Sequence, residues 1–152
     1  MTSEIEDVIR FNDKFSIIIS HSPTHLTKRK WTERADFMQE ELDEFKAAVA
    51  QQDLPKIFDA LLDLVYVAKG TAVMAGLPWE EGWDDVQRAN MAKVRGVTHR
   101  HQKVDVTKPP GWVGPDNLGV LLDAGYDPNE WTAGGQVDEQ LCLDDEVYHG
   151  EV

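Results

Sequence analysis

The sequence predicts an all-α fold, four-helix-bundle-like, with an irregular C-terminal extension. Three observations lead to the helical part. Apolar residues recur at three- and four-residue intervals through four separate stretches, and no stretch carries the two-residue alternation of a convincing strand. Those stretches are divided by short links holding proline, glycine or a capping residue. The chain has 152 residues, 41% of them hydrophobic, which suffices for one core and is too little for two. There are no internal repeats.

The first helix is expected from a Ser3 cap to about Ser20, with Ile5, Val8, Ile9, Phe11, Phe15, Ile18 and Ile19 forming a broad apolar face. The loop HSPTHLTKRK follows, and Pro23 excludes an unbroken helix. Thr32 is the expected N-cap of the second helix, which runs to about Gln52 with Ala35, Met38, Leu42, Phe45 and Val49 as its core stripe. Asp53 caps the third, Pro55 sits in its first turn, and Gly76 stops it after about Ala75. This third helix is apolar nearly all round and should be the central one. Leu77-Pro78-Trp79 opens the fourth, with Glu80 and Glu81 where the helix dipole favours acids; it ends near Val94, before Gly96. KPPGWVGPDN is irregular, and a short helix between Pro115 and Ala124 stops at Gly125. The expected organisation is one domain over residues 1–125 and an acidic tail over 126–152.

Charge narrows the function. The formal net charge is −13, but residues 1–108 hold all 15 Lys and Arg against 18 acids, whereas residues 109–152 hold 10 acids and no base. Binding to a nucleic-acid polymer is not expected, because it needs a basic surface that displaces counterions. Cys142 is the single cysteine, so no intrachain disulfide is possible. The N-terminus MTSEIEDVIR is acidic without an apolar signal core, and no apolar run is long enough to span a membrane. The expected location is the cytoplasm.

The stretch IFDALLDLVYVAKG raises the central question, because a segment this apolar carries Asp59 and Asp63 on one helical face. On the second helix Glu41 and Glu44 lie on the stripe beside the core positions, with Glu40 adjacent. The short QQDLP link makes the two helices antiparallel, so the acidic sets can meet. Two carboxylates about 5 Å apart repel by roughly 3 kcal/mol at an effective dielectric near 20. An all-oxygen ligand set suits Mg²⁺, with Mn²⁺ as a substitute. The alternatives are a solvated face for Glu40, Asp43 and Glu44, and capping or pairing with Lys28 or Arg34 for Asp59 and Asp63. No histidine lies between His25 and His99, which disfavours a redox di-iron site and favours phosphate chemistry.

EELDE (Glu40, Glu41, Glu44) followed by DALLD (Asp59, Asp63) resembles the metal motif of the MazG-like all-α nucleoside triphosphate pyrophosphohydrolases. Asp63 matches the last acid of their Glu-x-x-Asp element; Ala60 stands where they have Glu, and Asp59 is the substitute. DLVYVAKGTAVMAGLPW and VQRANMAKV resemble phage and bacterial members, among which a MazZ subset acts on deoxyguanosine nucleotides. The resemblance implies cleavage of a (deoxy)nucleoside triphosphate, dGTP among the candidates, to the monophosphate and pyrophosphate. It implies Mg²⁺ on Glu41, Glu44, Asp59 and Asp63, with Glu40 or Glu41 as the catalytic carboxylate. It implies nucleotide contacts from Asn90 and Lys93, and a homo-oligomer, dimer or tetramer.

Other residues are candidates on their own chemistry. Lys28, Lys93 and Lys108 belong to two basic clusters in an otherwise acidic chain and suit phosphate oxygens. Asn12 and Asn90 interrupt apolar faces and need partners, either a substrate or a backbone carbonyl. Tyr66 continues the Asp59–Asp63 face, Trp31 and Trp112 can stack on a base or simply pack, and His99 with His101 has a metal-capable spacing. Two rivals remain: a non-catalytic helical protein whose acidic tail binds a basic partner, and a phosphoribosyl-ATP pyrophosphohydrolase.

Overall fold

The computed structural model describes residues 3–96 and 105–129. The elements are α1 (Glu4–Lys14), α2 (Lys28–Gln51), α3 (Leu54–Met74), α4 (Trp79–Met91), β1 (Val94–Gly96), β2 (Asp105–Thr107) and α5 (Asn117–Asp123). The fold is all-α, with one two-stranded ribbon. Most of the acidic tail, with Cys142, and also His99 and His101, lie outside the described residues.

Ser3 and Glu6 form a capping box that starts α1. The helix stops well short of Ser20. Ser16 takes a left-handed conformation (φ 54°), the Ser16 N–H donates to the Asp13 carbonyl and the Ile17 N–H to the Asn12 carbonyl. This Schellman closure satisfies the last carbonyls and turns the apolar residues after it into an extended strap. The strap crosses the end of α3, with the Ser20 N–H on Val73, the Ser20 hydroxyl on Met74 and the Thr24 N–H on Ala75. Leu26, Met74 and Ala75 form a buried cluster there, covered by Ile17 and Trp31.

α2 begins one turn before Thr32. Thr27 is the cap, accepting from the Lys30 N–H, and the Thr32 hydroxyl bonds back to the Lys28 carbonyl inside the helix. Asp53 caps α3 through the Lys56 N–H, with proline in the first turn, and Gly76 (φ 63°) ends it, all as predicted. α3 packs antiparallel along α2 and also on α1. The inward stripe of α2 is Trp31, Arg34, Met38, Glu41, Phe45 and Ala48: Met38 and Phe45 turn inward as expected, whereas Arg34, Glu41 and Ala48 take the places expected of Ala35, Leu42 and Val49, which are exposed.

The third helix is central only in its second half. Gly70 to Met74 are buried, but Leu54, Phe58 and Leu62 are 71%, 63% and 52% exposed. α4 packs chiefly against α5. It ends at Met91, and Val94–Gly96 pairs antiparallel with Asp105–Thr107, a ribbon the sequence pattern did not announce. Strands of three residues are too short to show alternation. No helix among the described residues is long and apolar enough to cross a membrane.

Candidate active site

The acidic residues meet where α2 and α3 run side by side. Glu41 lies on the face of α2 turned to α3, between Met38 and Phe45, and is half-buried. Asp63 stands on α3 beside the buried Ala60. Burial pushes the Glu41 carboxyl above the usual carboxylate range, and the negative charges of Asp63, Glu44, Glu40 and Asp59 push it further, in that order. Four acids from two helices thus act on one. Glu40, Glu44, Asp59 and Asp63 are exposed, so the fully apolar surroundings expected around the aspartates are absent in the single chain.

The expected structural partners do not serve them. Arg34 donates from Nε to the Thr71 hydroxyl at 3.0 Å and from Nη2 to the Val67 carbonyl at 2.9 Å, with its guanidinium 5.2 Å from the Phe37 ring. It ties α2 to α3 and fits against Gly70, where a Cβ would sit 3.3 Å from Nη2. Among the described residues, no lysine or arginine forms an ion pair with any of the five acids. Nor do any three His, Cys, Asp or Glu side chains there stand drawn together in a ligand sphere. The donor chemistry nonetheless fits a hard divalent cation: oxygen ligands from two antiparallel helices, mutually repelling and without an internal counter-charge.

The remaining candidates divide into two groups. Near α1, Asn12 is buried and spends its Nδ2 on the Ile18 carbonyl at 3.2 Å, the backbone alternative weighed above. Tyr66 stands edge-on to Phe11, ring centroids 5.5 Å apart, and burial and then Asp7 hold its phenol above its ordinary value. Lys28 is exposed at the first position of α2, while its neighbours Arg29 and Lys30 are paired with Glu33. Trp31 packs in the core.

The second group gathers at the end of α4. Asn90 is exposed, not set in an apolar face, because Trp83 on that side is 61% exposed; its Oδ1 accepts from Lys93 Nζ at 2.7 Å. Lys93 and Lys108 both lie over the Trp112 ring, and the Trp112 indole donates to the Ala89 carbonyl. The sequence offered Trp112 as a stacking residue and gave no sign that it would organise lysines. Spacing could not reveal this, since Lys93 and Lys108 are separated by the whole ribbon.

Residues 8–90 match the phosphoribosyl-ATP pyrophosphohydrolase family. Comparison with curated proteins gives no match. The matched segment spans more than half of the chain and contains α2, α3 and all five acids, while Lys93, Lys108 and Trp112 fall beyond it. By that match the chain belongs to the phosphoribosyl-ATP pyrophosphohydrolase family, is MazG-like at the coarser level, and is a nucleotide pyrophosphohydrolase, a hydrolase of phosphoanhydride bonds.

Proposed function

We propose that the chain is a Mg²⁺-dependent nucleoside triphosphate pyrophosphohydrolase that releases pyrophosphate from a (deoxy)nucleoside triphosphate, with dGTP as the first substrate to try. The observation that carries this is the half-buried carboxyl of Glu41 on the α2–α3 seam, raised first by burial and then by four neighbouring acids, with no ion-pair partner among the described residues. Glu41, Glu44, Asp59 and Asp63 would hold the ion, with Mn²⁺ as a substitute. When bound, the ion supplies charge neutralisation on phosphate and acidifies water.

The chain's own residues do the rest. Glu40, exposed beside Glu41, takes the proton of the attacking water, a role open to Glu41 wherever it is not a ligand. Lys28, Tyr66, Asn90, Lys93 and Lys108 orient the nucleotide. Hydrolysis at phosphorus needs chiefly positioning and neutralised charge, so no Ser, Cys or His nucleophile is required. Two copies or four would form the working particle, in the cytoplasm of the cell or of a phage's host.

A second reading, phosphoribosyl-ATP as substrate, is favoured by the family match itself. Pyrophosphate release from a panel of dNTPs, NTPs and phosphoribosyl-ATP, with and without Mg²⁺, decides between them. Turnover of dGTP above the rest supports the first reading. Turnover of phosphoribosyl-ATP alone replaces it with the second, and metal-independent turnover removes the ion from the scheme.

A further inference from the structure

Trp112, between β2 and α5, lies outside the segment that matches the family and is tied to α4. Its indole Nε1–H donates to the Ala89 carbonyl at 2.7 Å, and Ala89 is 1% exposed, so one edge of the ring is anchored to the packed side of the helix. The segment after it is also held down: Arg88 Nη2 donates to the Gly114 carbonyl at 3.0 Å, and the Asp116 N–H donates to Asp85 Oδ2 at 2.6 Å.

On this fixed ring rest two cations from distant parts of the chain. Lys108 Nζ is 4.4 Å from the ring centroid and Lys93 Nζ is 5.8 Å from it. Each contact is a cation–π attraction that restricts a lysine which would otherwise sweep freely. Neither lysine forms an ion pair among the described residues, in a chain with 28 acids. Lys93 has only the neutral Asn90 amide as a polar partner there. Two like charges held on one ring, without a counter-charge among the described residues, suit an external anion whose charge is spread over several oxygens.

We propose that Trp112 is a positioning residue that holds Lys93 and Lys108 as a two-ammonium clamp for the diphosphate portion of the nucleotide. This rests on the pyrophosphohydrolase reading and adds to it the part of the substrate that this end of α4 receives. The leaving group, pyrophosphate, is the simplest ligand with that chemistry, and its binding can be measured without turnover.

The test is calorimetric titration of the full-length chain with inorganic pyrophosphate, with KM and kcat for the best triphosphate measured in parallel. Trp112→Leu and Lys108→Ala are expected to weaken pyrophosphate binding and raise KM by about tenfold each, the loss of roughly 1.4 kcal/mol of contact, with kcat within about twofold. Trp112→Phe keeps a ring face for the lysines but loses the Nε1–H anchor to Ala89, and its pyrophosphate affinity should fall between those of the wild type and Trp112→Leu. Lys46→Ala, which removes a surface lysine paired with Asp43, should change neither quantity. Should Trp112→Leu unfold, Lys108→Ala in the exposed loop carries the test alone. Unchanged pyrophosphate affinity and KM in Lys108→Ala overturn the clamp while leaving the enzymatic reading intact. A wild-type chain that binds pyrophosphate through Lys108 and turns over no nucleotide upholds the clamp and sinks that reading instead.

Discussion

At Gly76 one missing Cβ decides how the chain leaves α3. Its φ of 63° is left-handed, and a Cβ there would come within 2.2 Å of the Ser22 carbonyl oxygen, a backbone atom of the strap that crosses the helix end. Gly76→Ala should therefore cost roughly 2–4 kcal/mol, combining left-handed strain with a clash that no rotamer relieves. Urea unfolding at constant m-value measures it. Glu41 shows the opposite kind of specialisation. Its carboxyl is raised, so the folded chain holds that proton more tightly than the unfolded one does, and the ionised form works against folding at neutral pH. Glu41→Gln should raise the metal-free melting temperature. The same change should lower triphosphate turnover by about 100-fold or more, the several kcal/mol that a well-held ion contributes. A melting temperature that falls, with activity untouched, would remove Glu41 from the site.

α4 and α5 are held as a pair by Asp85. Arg88 Nε at 2.6 Å and the Asp116 N–H keep its carboxyl below the usual carboxylate value, the arginine contributing most. The stabilisation is present above the unfolded carboxylate pKa near 4 and is lost as pH falls through the depressed folded value. Acid below about pH 4 should loosen α5 from α4, and Asp85→Asn should already be loosened at pH 7, with a flatter acid limb. The checking measurement is thermal unfolding of both chains between pH 2.5 and 7. Helix starts obey the same local logic. Asp53→Ala should cost about 1 kcal/mol by removing the bond to the Lys56 N–H, and Thr32→Ala almost nothing, because Thr27 is the cap.

Across the described residues, the clustered part of the core, Leu26 with Met74 and Ala75, lies at one end of α3, while Leu54, Phe58, Leu61, Leu62 and Val65 line an open outer face. Exposed apolar surface of that extent on one helix marks an interaction surface. Phe58→Asp should shift the particle mass in light scattering from the proposed dimer or tetramer toward one chain, and a wild-type chain that is monomeric at high concentration would discard the assembly. Saturating Mg²⁺ at about 100 times its Kd should add roughly 2.7 kcal/mol, a rise of about 5–10 °C, and chelation should reverse it. Much of this was legible beforehand. Asp53 and Gly76 announced their helix ends by chemistry alone, and the four-residue spacing of Asp59 and Asp63 put both on one face. Thr27 was not legible, because two threonines five apart both precede a plausible helix. The end of α1 was not, because Ser16 is an unusual residue for a left-handed closure.

Taken alone, the order of residues determined the helical class, the antiparallel course of α2 and α3, and the presence of one acidic face on each, since all three follow from local periodicity and the short QQDLP link. Tertiary structure decided that Glu41, rather than Leu42, turns inward, that Arg34 serves Thr71 and Val67 rather than the aspartates, and that Trp112 draws Lys93 and Lys108 together. The physical reason is range. Helical phase is set by neighbours three and four residues away. Which of two adjacent stripes faces the core, and which cation meets which partner, depends on packing between segments tens of residues apart.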